Sequence, residues 1–81
     1  MILEILSPEK TYYRGEVESV TLPGTMGSFQ VLRNHAPLIS SLRRGTLTFA
    51  VKGDLRSMKV EEGFVEVSDN KIIVCIDSVE K

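Results

Sequence analysis

Turn-forming residues interrupt this chain so often that no ordinary helix fits between them. The marks fall at Ser7-Pro8, Gly15, Pro23-Gly24, Gly27, Arg33-Asn34-His35-Ala36-Pro37, Arg44-Gly45, Gly53-Asp54, Glu62-Gly63 and Asp69-Asn70. The stretches between them run to about five to seven residues, which is strand length. The chain therefore reads as all-β.

Side-chain alternation supports this reading and predicts the buried faces. Leu47, Phe49 and Val51 alternate with Thr46, Thr48 and Ala50, and Phe29 and Val31 with Ser28 and Gln30. Period two is the pattern of a half-buried strand. Val65 and Val67 share one parity; Leu38, Ser40 and Leu42 share another. The run Ile72-Ile73-Val74-Cys75-Ile76 is apolar on both parities, which predicts a strand covered on both faces or packed at a partner surface. Asp69-Asn70 before it suits a tight hairpin. Eight to ten such strands in 81 residues would expose a large apolar face in one open sheet. Two packed antiparallel sheets, a β-sandwich or flattened barrel, are expected instead.

The length allows one domain, residues 1–81, with a small core. Ten Lys and Arg against eleven Asp and Glu supply no general attraction for nucleic acid or an anionic membrane. Cys75 is alone and cannot form an intramolecular disulfide, so nothing demands an oxidising compartment and a cytosolic setting fits. Met1 to Leu6 lacks the basic region of a signal peptide, and no apolar run approaches a membrane span. The last residues, Ser78 to Lys81, read as an exposed tail.

Chemistry has few candidates. His35 is the one histidine, but Ser28, Ser40 and Glu62 have no spacing that places them beside it as nucleophile or orienting carboxylate. A small His35-dependent hydrolase is one alternative; a loop or contact histidine is the simpler reading. One His and one Cys cannot close a zinc site, so no metal is expected, and Cys75 reads as a small core hydrophobe. Gly24-Thr25-Met26-Gly27 has two residues between its glycines and leads into a strand, unlike a phosphate loop, and no cofactor is expected. Met58-Lys59 invites comparison with biotinyl or lipoyl carrier domains, which modify a lysine on a hairpin tip. Here alternation places Met58 and Val60 inward and Lys59 outward in mid-strand, so a solvated lysine is expected.

The ordered series Leu3-Glu4-Ile5, Ser7-Pro8-Glu9-Lys10, Gly15-Glu16-Val17, Ser19-Val20-Thr21-Leu22-Pro23-Gly24, Gly27, Val31-Leu32, His35-Ala36-Pro37-Leu38 and Gly63-Phe64-Val65-Glu66-Val67 before Asn70-Lys71 resembles the epsilon subunit of F-type ATP synthase. The resemblance implies an antiparallel β-sandwich of two five-stranded sheets. It also implies a non-catalytic central-stalk subunit that grips the gamma subunit, rests on the c-ring and couples proton flow to ATP synthesis. Carried over by motif, Ser7, His35 and Ser40 would meet gamma, and Ser28 would approach the c-ring. Membrane association would come only through the complex, at the cytoplasmic face of the bacterial inner membrane. Many relatives continue into two C-terminal helices; a chain stopping at Lys81 would lack them.

Overall fold

The computed structural model describes residues 1–79. Among these, nine strands follow one another without a helix: β1 (Ile2–Leu6), β2 (Thr11–Glu16), β3 (Ser19–Gly24), β4 (Gly27–Leu32), β5 (Leu38–Leu42), β6 (Gly45–Val51), β7 (Asp54–Val60), β8 (Gly63–Ser68) and β9 (Lys71–Ile76). The hairpins have the chemistry their residues suggest. Lys52 and Gly53 join β6 to β7, and Asp69 and Asn70 join β8 to β9, each pair with positive φ at both turn residues. That is the turn whose twist matches antiparallel strands.

Hydrogen bonds run through the order β2-β1-β9-β8-β5-β3-β6-β7, with β4 paired to β3 as a branch. The β5–β3 junction is narrow, a single register pair between Gly24 and Leu42. There the sheet folds over, leaving β2-β1-β9-β8-β5 packed against β4-β3-β6-β7. The layered all-β fold matches the expectation, but two details do not. The described residues form nine strands rather than ten, divided five and four. The pairing is also not wholly antiparallel, because β1 lies parallel to β9 from Ile2↔Lys71 to Leu6↔Cys75. Both strands leave the same end of the sandwich, where Ile2 N–H donates to Asn70 O. Beyond β9, Val79 makes one antiparallel bridge to Val60, so this part of the expected tail is docked; residues 80–81 lie outside the described region.

The inner faces meet in a wholly apolar core. Leu3 pairs with Ile72 and Ile72 with Val67, while Ile5 pairs with Val74 and Val74 with Val65, and all six are sealed from solvent. From the other layer come Val20, Leu22, Val31, Leu47 and Phe49. The rings of Tyr13 and Phe49 meet across the layers, centroids 4.5 Å apart. Burial of each such side chain stabilises the fold by roughly 1.5–3 kcal/mol. Cys75 is not in this core: it takes the opposite parity on β9 and is half-buried on the outer face. The apolar parity of Ile73 and Cys75 is thus turned toward solvent rather than covered by the chain itself.

Pro23 and Gly24 close β3 and are buried; the turn itself is Thr25-Met26, with Gly27 at φ 126°. Gly24 is required by contact, since a Cβ there would stand 2.8 Å from the Phe29 ring and from Gly27 O.

Candidate functional site

Among the described residues, no serine, cysteine or carboxylate is hydrogen-bonded to His35. Its backbone N–H donates to Leu32 O at 3.1 Å, and its Nδ1 donates to Ala36 O at 2.7 Å. A carbonyl only accepts, so Nδ1 carries the proton and the imidazole is spent on bracing its own turn. Among the described residues no group of three or more His, Cys, Asp or Glu is placed to hold a metal. Lys59 lies exposed within β7, well away from the Lys52-Gly53 tip, with Met58 and Val60 turned inward as expected. No helix among the described residues is long and apolar enough to cross a membrane.

What the molecule offers instead is a surface. The outer face of the five-stranded layer carries Leu6, Cys75 and Phe64 in one register row and Ile73, Glu66 and Ile39 in the next. Ile39 is 74% exposed and Phe64 50%. At one end of this face, Leu6, Ser7, Pro8, Phe64 and Cys75 border a shallow groove of about 410 Å³. At the other end Pro37, Leu38, Ile39, Glu66 and Val67 border a second, of about 370 Å³. Large exposed apolar side chains clustered on one sheet face mark contact surfaces more often than isolated ones do.

The residues expected at a gamma contact do not form one cluster. Ser7 follows β1 and stands at the rim of the first groove, where its Oγ accepts N–H bonds from Glu9 and Lys10, both at 3.2 Å. It thus shapes the β1–β2 turn as well as the rim. His35 precedes Pro37, beside the second groove at the opposite end of β8. Ser40 lies between them on β5, on the half-buried parity, its Oγ donating to Ser41 O at 3.1 Å. Ser7 and His35 thus stand at the two ends of the outer face, whereas Ser40 takes the inward parity of β5 with Leu38 and Leu42, opposite Val65. Ser28 stands apart, exposed on β4 at the far layer, opposite Pro23.

Two groups that matter here carry only faint sequence signals. Asn34, in the His35 turn, and Asn70, in the β8–β9 hairpin, bond to each other through their amides. Both are turn residues, but nothing in their spacing predicts that they meet. Ile39 and Phe64 take the outward parity that alternation assigns opposite Leu38 and Val65, and the doubly apolar β9 beside them pointed to a partner surface.

Known proteins share this whole architecture. The family model described as ATP synthase, Delta/Epsilon chain, beta-sandwich domain matches residues 1–81. An ATP synthase epsilon chain of Leptospira borgpetersenii is 43% identical over 75 residues, covering 93% of this chain and 59% of the relative. That of Chlorobium limicola is 40% identical over 78 residues, covering 95% of this chain and 89% of the relative. Among solved structures, a chain of the Euglena gracilis mitochondrial ATP synthase, resolved as an OSCP, F1 and c-ring assembly, superposes with a TM-score of 0.92 at 20% identity, covering 99% of this chain and 52% of that one. A chain of the Tetrahymena thermophila mitochondrial ATP synthase central stalk and c-ring gives 0.84 at 17% identity, covering 99% and 65%. The chain thus spans more than half of several relatives rather than their full length. With the family model matched from end to end and the fold shared with solved ATP synthase chains at the TM-scores above, the chain belongs to the β-sandwich domain family of ATP synthase delta and epsilon chains.

Proposed function

We propose that this chain is the sandwich of a central-stalk rotor subunit in a proton-translocating F-type ATP synthase. In this reading it catalyses nothing itself. It binds the gamma subunit and the c-ring and carries torque between them, so that proton flow is coupled to ATP synthesis and hydrolysis. It works at the cytoplasmic face of the bacterial inner membrane, held there by the complex.

The observation that carries the reading is the match of the entire chain to an ATP synthase sandwich family. The physical character of the molecule supports it. A torque-bearing element needs a stiff body and a wide contact surface rather than an enclosed pocket, and here an apolar core is sealed while Ile39 and Phe64 stand exposed outside it. We assign to gamma that outer face, with Ser7 and His35 at its ends, together with Ser40 on β5; Ser28 on β4 is assigned to the ring. Isolation of the tagged protein from its own membranes tests the assignment. Gamma and the c-ring should come with it, and recovery without either overturns the reading.

A further inference from the structure

The folded-over sheet leaves strand edges on β2, β4 and β7, and on β5, which is only five residues long and meets β3 at Leu42 alone. Two are defended in the usual manner. β2 carries Arg14 and Glu16 and pairs with β1 through an irregular register at Ile5 and Leu6. β7 carries Asp54, Arg56 and Lys59. Charges and irregularities of this kind prevent an edge from pairing with another chain. β4, Gly-Ser-Phe-Gln-Val-Leu, has neither a charge nor a proline, and its six residues stay in unbroken register with β3.

The polarity of that edge follows from the backbone. Pro23 O accepts from Arg43 N–H, and Thr25 N–H donates to Ser41 O, so the odd residues at this end of β3 turn toward β5. The even residues then serve β4, and the hydrogen-bonded pairs are Val20↔Val31, Leu22↔Phe29 and Gly24↔Gly27. The proline is accommodated because its missing N–H is on the side away from β4. Ser28, Gln30 and Leu32 must therefore aim their main-chain groups outward. Leu32 O is taken by His35 N–H, which leaves the N–H groups of Ser28, Gln30 and Leu32 and the carbonyls of Ser28 and Gln30 pointing outward from the sheet. Exposed Met26 and Leu32 stand at the two ends of this row.

We infer that the open edge of β4 receives an extended, uncharged segment of a protein partner as an added strand. The recognition chemistry is main-chain pairing at Ser28 and Gln30, with apolar contact at Met26 and Leu32. A neutral edge selects a neutral strand, because a charged residue opposite it would lose water and find no counterion. The inference rests on the rotor reading for its partner and deepens it: Ser28 would act through its backbone.

Residue-resolved amide exchange in the complex isolated from membranes, compared with the same protein released from it, tests the inference. The amides of Ser28 and Gln30 should slow by at least roughly 100-fold on assembly, while those of Phe29 and Val31, already bonded to β3, change little. Gln30→Pro should fold, since an edge strand tolerates proline where its N–H faces outward, yet its retention in the complex should fall at least about tenfold below that of Gln30→Ala. A recovered complex in which Ser28 and Gln30 exchange as freely as in the released protein overturns the inference and leaves the rotor reading standing. Failure to recover any complex overturns the rotor reading and the partner assigned with it. Equal protection in the released protein, at the mass of a dimer, overturns the assignment in favour of a second copy of the chain.

Discussion

Asn34 and Asn70 hold each other across 36 positions of sequence: Asn34 N–H donates to Asn70 Oδ1 at 2.6 Å, and Asn70 Nδ2 donates to Asn34 Oδ1 at 2.8 Å. Both residues are left-handed, with φ of 63° and 58°. The pair ties the His35 turn to the β8–β9 hairpin, and Asn70 O in turn accepts from Ile2 N–H at the start of β1. Replacement by glycine keeps the backbone geometry and removes the amides. Asn34→Gly and Asn70→Gly are each expected to cost about 1 kcal/mol, and the double variant about 0.5–1 kcal/mol less than their sum, in urea unfolding. Strict additivity would show that the two amides do not support each other.

Ser7 has a structural duty separable from any partner. Its Oγ accepts from two backbone N–H groups in the β1–β2 turn. Ser7→Ala should lower stability by about 1 kcal/mol, and Ser7→Asp, which keeps an acceptor, should restore most of the loss. Equal stability of all three proteins in thermal unfolding would contradict the role.

Gly63 opens β8 where β9 passes close by. A Cβ at this position would overlap the Cys75 carbonyl and stand 2.8 Å from Ile76 Cα, both main-chain atoms that cannot move alone. Gly63→Ala is expected to destabilise by on the order of 3 kcal/mol, near the upper range for overpacking. Near-normal stability on denaturant titration would show that the β8–β9 ladder yields more readily than its geometry suggests.

Core and outer-face residues should separate stability from assembly. Leu3 is sealed inside, and Leu3→Ala should cost about 2–5 kcal/mol. Ile39 is mostly exposed, and Ile39→Ser should stay within about 0.5 kcal/mol of the parent while weakening retention in the complex. Unchanged retention would remove Ile39 from the contact face.

Short-range physics is what the sequence made legible. Turn residues and period two located most of the strands, the Asp69-Asn70 hairpin and the inward set of Leu47, Phe49, Val65 and Val67, because each depends on neighbours along the chain; Gly15, read as a turn mark, instead lies within β2 opposite Leu3. The parallel neighbour of β1 was not legible, since alternation records which face a residue takes and not which strand lies beside it. Cys75 was misplaced for a related reason: an apolar residue on an outward parity looks the same in sequence as one in the core. Pro23-Gly24 looked like a turn, but burial and the Gly24↔Leu42 junction hold it in strand. The placement of Ser7 and His35 at opposite ends of one face, with Ser40 turned to the other, depended on three-dimensional register, and the Asn34–Asn70 pair on two turns meeting in space.

The most direct test of coupling is ATP-driven proton pumping by membrane vesicles from cells lacking this protein, with the full protein supplied again. Dye quenching should be absent without it, return with the parent, and be reduced with Gln30→Pro. Undiminished pumping in its absence would contradict the account that this sandwich links ring rotation to the catalytic head.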